Sequence, residues 1–229
     1  MTERAPRQSR AAVRTLVCES AAYVVLEDGI EKLSPTTVAL RAGIHKGRVV
    51  RIHSNSVQLA AAIRRTGYER VEQLCEKFPR SRDTGVSAIA ACLYELVEQA
   101  GTDAVVRAMY ALDAADAPAA PGHFTIYGLW RSHFMTLLNT DLDGSPTEDT
   151  SVHARLTEVA DVLVDALAGF TTPRGAPSEL PVRFDHVHLL LTAVLPMVCS
   201  DADYAAHMHQ YLPRLRRMYG TRVDDAVPH

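Results

Sequence analysis

Along nearly the whole chain, apolar residues return at intervals of three and four, which lays them along one face of an α-helix. No period-two pattern bounded by turns indicates a strand. In the first stretch Val13, Leu16, Val17, Ala21, Val24 and Val25 keep the helical spacing until Gly29. Further on, the Pro- and Gly-rich segments 116–122, 141–146 and 171–177 cannot continue a helix. The pattern predicts an all-α chain, with later helices at about 34–42, 45–52, 54–76, 86–100, 103–114, 124–140, 152–170, 183–199 and 202–219. The start of the second helix is the best defined. Ser34 can cap free amides there, and Pro35 suits a first helical position because its missing N–H would have no partner; Ala42-Gly43 ends the helix.

With 229 residues, 47% of them hydrophobic, the chain can bury a sizeable core in one or two domains. Collagen-like, disulfide-scaffold and wholly disordered classes are excluded. The net charge of −3 conceals a division: residues 1–82 hold 15 basic and 8 acidic side chains, residues 83–229 hold 9 and 19. A basic front and an acidic rear suggest two domains with different partners. Cys18, Cys75, Cys92 and Cys199 are scattered without a C-x-x-C pair. They read as buried or spare thiols in a reducing compartment, and neither a disulfide framework nor a thiolate zinc site is expected. Arg4, Arg7 and Arg10 are not followed by an apolar run of secretory length, and the longest such run, 187–198, falls short of the roughly 18 residues of a membrane span. A soluble, cytoplasmic protein with no membrane partner is expected.

Two short helices joined by Ala42-Gly43-Ile44 and flanked by longer ones have the layout of a helix-turn-helix. The third segment carries the donors His45, Lys46, Arg48 and Arg51, while Val49, Val50 and Ile52 form its buried side. An ordinary surface helix in a bundle is the competing reading. The order of elements resembles the N-terminal domain of the TetR family of one-component repressors. The resemblance is carried by Val13, Leu16-Val17, Ala21-Ala22 and Glu27-x-Gly29, by Thr37-Val38-Ala39 and Ala42-Gly43-Ile44, and by Lys46-Gly47 and Leu59. It implies a DNA-binding domain over 1–55, a ligand-binding and dimerisation domain over 56–220 entered by a helix from about 56 to 78, and a tail over 221–229. It also implies double-stranded operator DNA as a partner, met by Thr36, Thr37, His45, Lys46, Gly47, Arg48, Arg51 and His53. After Lys-Gly, family members usually have a leucine, a tyrosine, a His-Phe pair and a Ser-Lys-Glu; this chain has Val49, Val50, Ile52-His53 and Asn55-Ser56-Val57. The tyrosine and lysine that commonly hold phosphates are missing, and Arg48 and Arg51 are placed to compensate.

Five aromatics gather between Tyr110 and Phe134, including the only tryptophan. Aromatics at helical spacing usually fill a core. Here Val106-Arg107-Ala108, a Pro-rich connection and then Trp130-Arg131 look like the γ-butyrolactone receptor branch of TetR proteins. The likeness implies a pocket for a small apolar ligand with a few polar groups, with Trp130 at its centre and Tyr110, Phe124, Tyr127, His133 and Phe134 around it. Phe184, Val187, Leu190, Leu191, Val194, Leu195 and Val198, followed by Tyr204, Met208, Leu212, Leu215 and Met218, suit the two helices of a homodimer interface. His186-x-His188 and His207-x-His209 set their rings about 200° apart on a helix, so no metal site is expected there. No catalytic motif or cofactor fingerprint is present, and an enzyme is not expected. The expected function is that of a ligand-responsive dimeric repressor, released from a pseudo-palindromic operator by a γ-butyrolactone-type autoregulator or a biosynthetic intermediate. The rival is a TetR-like protein with a degenerate contact helix that has lost DNA binding and binds or transforms a small molecule in the inherited pocket.

Overall fold

Helix ends are set by local chemistry. In the computed structural model, which describes residues 9–78, 85–115, 126–140, 150–171 and 180–197, the elements are helical and no strand occurs among the described residues. They are α1 (Arg10–Asp28), α2 (Pro35–Ala42), α3 (Lys46–Ile52), α4 (Ser56–Cys75), α5 (Gly85–Thr102), α6 (Ala104–Ala115), α7 (Ile126–Thr140), α8 (Thr150–Thr171) and α9 (Leu180–Val194), with 3-10 turns at Ile30–Lys32 and Leu195–Met197. The helix expected over 202–219, the tail over 221–229 and Phe124 lie outside the described residues. The helix expected to reach 199 is α9, and it stops at Val194. Pro196 accounts for the tighter turn that follows, because it has no amide to extend the α-helical ladder.

Two compact units divide the chain, one of residues 1–70 and 103–118, the other of 71–102 and 119–229. They do not part at residue 55, where the sequence places the domain boundary. The reason is α6, which packs on α1 and is tied by side chains to α4. Asp113 accepts hydrogen bonds from Arg64 Nε at 3.0 Å and from the Tyr68 hydroxyl at 2.6 Å, and Asp103 accepts from Arg70 at 2.7 Å. Val13, Val17, Ala21, Val24, Val38, Val49, Leu59, Ile63, Val106 and Met109 fill this unit's core. In the second unit α5 is the central helix, contacted by α7, α8 and α9. Its core holds Ile89, Leu93, Leu96, Trp130, Phe134, Leu163 and Leu167, and Tyr94 packs on Phe184 with ring centroids 5.7 Å apart.

The turn between α2 and α3 is built as the sequence suggests. Ser34 and Thr37 form a reciprocal cap: the Thr37 amide donates to Ser34 Oγ, and the Ser34 amide donates to Thr37 Oγ1. At the other end Gly43 has φ +63°, its amide donates to Leu40 O, and the Ile44 amide donates to Ala39 O. These two bonds satisfy carbonyls that the last helical turn leaves free, in the geometry of a Schellman ending. Nothing lies within 4 Å of a Cβ built at Gly43, so only backbone strain opposes a side chain there. Gly43→Ala is expected to lower stability by about 1–2 kcal/mol. Denaturant titration should show a lower midpoint with an unchanged slope; an unaltered midpoint would mean that the left-handed turn is not formed.

Candidate nucleic-acid interface and ligand site

α3 is short, and its orientation follows from one buried residue. Val49 is fully buried, while His45, Lys46, Gly47, Arg48, Val50 and Arg51 are exposed. At 3.6 residues per turn, Arg51 lies about 200° round the helix from Val49, and Arg48 lies about 60° from Arg51 on the same outer face. Ile52 is half-buried, whereas Val50, expected on the buried side, is exposed. Its position between the two faces of so short a helix leaves it outside the contact made by Val49. The His45 ring caps α3, with Nδ1 accepting the Gly47 amide at 3.1 Å. A Cβ at Gly47 would stand 3.1 Å from that nitrogen, so glycine suits the cap.

Several basic residues of this unit are held by carboxylates. Arg41 pairs with Glu27 and lies over the Tyr23 ring, 5.2 Å from its centroid. Arg64 pairs with Asp113, Arg65 with Glu69, and Arg70 with Asp103 and Glu19. Lys46, Arg48 and Arg51 make no ion pair among the described residues. The outer face of α3 thus carries uncompensated positive charge. Thr36 on α2 is exposed as well, but Thr37 is committed to the helix cap, its hydroxyl lying 2.7 Å from Lys32 O. α4 begins with a similar exchange, in which Asn55 Oδ1 accepts the Gln58 amide and Gln58 Oε1 accepts the Ser54 amide.

His53 is set apart from the α3 cations. It is half-buried on the wall of a cavity of about 400 Å³ that is also lined by Arg14, Cys18, Arg65 and Arg70. Burial lowers its pKa below the ordinary histidine value, and the nearby Arg65 and Arg14 lower it further. It is one of the residues that the family resemblance implies as DNA contacts.

Of the expected ligand residues, four come together on α7 in the second unit. Trp130 and Phe134 are fully buried, His133 is half-buried, and the exposed Tyr127 meets Trp130 edge-on with centroids 5.7 Å apart. The His133 and Phe134 rings are 6.5 Å apart. Burial lowers the pKa of His133, and its Nε2, also buried, has no hydrogen-bond partner among the described residues. Tyr110 is buried on α6, in the first unit. Sequence spacing gave no hint of one further cluster: the donor atoms of Cys75, Cys92 and His133 lie within 4.8 Å of one another. No helix among the described residues is long and apolar enough to cross a membrane.

Among solved structures the chain is similar to a γ-butyrolactone receptor described as ArpA-like, with a TM-score of 0.62 and 19% identity over 83% of this chain and 95% of that one. It is also similar to the TetR-family protein CprB from Streptomyces coelicolor in complex with its operator sequence, with a TM-score of 0.59 and 18% identity over 82% and 97% of the two chains. A SmeT–triclosan complex matches with a TM-score of 0.61 and 18% identity over 83% and 93%. No protein-family model and no curated protein matches the chain. At these identities the likeness shows the fold, which is that of TetR-family regulators.

His53 and His133 together predict a pH response. Both take up a proton more readily in the unfolded chain, where the histidine value is about 6.5. The stability associated with their neutral rings is complete above that pH and is lost as the pH falls towards the lower folded-state values. Urea titrations between about pH 7.5 and 5.5 should show stability falling with pH, and the fall should shrink when His53 and His133 are both replaced by Gln. An equal fall in the double variant would assign the response to other groups.

Proposed function

We propose that this chain is a dimeric, ligand-responsive transcriptional repressor. The observation that carries the reading is the outer face of α3, where Lys46, Arg48 and Arg51 stand exposed and, among the described residues, make no ion pair, while the other arginines of α2 and α4 are held by carboxylates. A cationic helix of this kind suits a major groove: the guanidinium groups can bind phosphates or the O6/N7 edge of guanine, and Val50 can meet a thymine methyl. A two-fold dimer would set two such helices roughly 34–36 Å apart, matching a pseudo-palindromic operator. Exposed Leu189 on α9 and Met197 in the following turn supply apolar surface for the partner copy.

The ligand in this reading is a small, mainly apolar molecule with a few polar groups, of the γ-butyrolactone or biosynthetic-intermediate class, bound around Trp130. The similarity to a γ-butyrolactone receptor supports this class. DNA release requires that the ligand bind the DNA-incompetent arrangement more tightly than the competent one. A second reading, in which DNA binding is lost and a small molecule is bound or transformed in the inherited pocket, draws on the absence of the family's usual tyrosine and lysine after Lys46-Gly47 and on the exposed apolar Leu40 and Val57, 84% and 75% exposed.

Fluorescence anisotropy with the promoter of the protein's own gene separates the two. Arg48→Ala and Arg51→Ala should each weaken binding by about 1–3 kcal/mol. For each variant that removes a phosphate contact, the slope of log K against log salt should fall by about one. The absence of any salt-sensitive, sequence-selective complex with the wild-type protein would favour the pocket-only reading. Trp130→Phe should keep operator affinity while raising the concentration of a synthetic γ-butyrolactone needed for half release; an unchanged concentration would remove Trp130 from the site.

A further inference from the structure

The second unit brings together side chains that are distant in the sequence: Cys75 at the end of α4, Cys92 in α5 and His133 in α7. Both cysteines are buried, and the two sulfurs and one imidazole nitrogen all lie within 4.8 Å of one another. Nε2 of His133 is buried without a hydrogen-bond partner among the described residues. An unsatisfied buried polar atom of this kind costs about 1–3 kcal/mol, and such atoms are rare in folded proteins. We infer that Cys75, Cys92 and His133 form a binding site for a thiophilic divalent cation of the zinc type, with one coordination position left open.

The donor set and its surroundings select the ion. Two sulfurs and an imidazole suit zinc, whereas magnesium and calcium require oxygen ligands. Zinc–sulfur and zinc–nitrogen bonds of about 2.3 and 2.0–2.1 Å place tetrahedral donors about 3.5–3.8 Å apart. Closing from the present spacing takes a movement of about 1 Å, within the range of side-chain rotation. On binding, each thiol gives its proton to solvent and its sulfur forms a bond to the metal, while the neutral imidazole donates a lone pair; no electrons change hands. Two thiolates balance a divalent ion, so the complex is neutral. That matters on helices whose side chains here include the fully buried Ile89, Leu93, Trp130 and Phe134, because a monovalent ion would leave a buried negative charge. Water or a donor atom of a bound small molecule completes the shell. This inference rests on the second unit alone and stands whether or not the chain binds DNA.

The test is titration of the reduced, full-length protein with Co²⁺ in the absence of oxygen. One equivalent should produce thiolate-to-cobalt charge-transfer absorption with the intensity of two thiolates, together with tetrahedral d–d bands, and Zn²⁺ should abolish both. Trp130, the only tryptophan and one helical turn from His133, should lose fluorescence in step. Cys75→Ser and Cys92→Ser should each halve the charge-transfer intensity and weaken binding on the order of a hundredfold or more. His133→Gln should weaken binding similarly and shift the d–d bands, while Cys18→Ser should change neither. Far-ultraviolet circular dichroism identifies any variant that does not fold, and the wild-type absorption and fluorescence decide the question without the variants. Failure of the folded wild-type protein to develop charge-transfer bands, development of those bands without quenching of Trp130, or their survival at full intensity in a folded Cys92→Ser variant would each overturn the assignment.

Discussion

Burial of the apolar stripe on α1 is the contact on which the first unit depends. α2 and α3 have eight and seven residues, well below the roughly 12–15 at which an isolated helix becomes even marginally stable in water. They persist because Val38, Ala39 and Val49 are buried in the core to which Val13, Val17, Ala21 and Val24 of α1 contribute. Each fully buried valine contributes on the order of 1.5–3 kcal/mol. The Gly43 turn then fixes the direction in which α3 leaves α2, and the burial of Val49 turns Arg48 and Arg51 outward.

Electrostatics distinguish α3 further. The first 82 residues are basic as a group, yet much of that charge is spent inside the unit: Arg41 holds α2 to α1, while Arg64 and Arg70 hold α4 to Asp113 and Asp103. These partly buried pairs maintain packing and add little to an external field. The cations of α3 remain exposed.

In the second unit, α7 carries both the tryptophan assigned to the ligand and the histidine assigned to the metal site, one helical turn apart. A single rigid element therefore links the two proposed sites. The Tyr127–Trp130 and His133–Phe134 ring contacts lie along the same stretch of this helix. Burial lowers the pKa of His133 and so favours the neutral ring, the form that can donate a lone pair.

What was legible in the sequence is what short-range chemistry controls. Ser34, Pro35 and Ala42-Gly43 mark the ends of α2 within a residue, because caps and left-handed turns depend on neighbours a few positions away. Periodicity likewise determines the all-helical class, and the residues around Gly43 determine the helix-turn-helix. Long-range contacts decided the rest. The grouping of α6 with the first helices depends on carboxylates at Asp103 and Asp113, which meet arginines of α4 only after folding. The engagement of Thr37 in a cap and of His53 in a cavity wall, and the exposure of Val50, could not be read from residue type. The meeting of Cys75, Cys92 and His133 was the least legible, since three donors on three helices leave no local spacing to recognise. By itself the sequence determined the all-helical class and where the second helix starts, stops and turns; only tertiary packing decided which cations pair and which donors converge, because those properties belong to pairs of surfaces and not to stretches of chain.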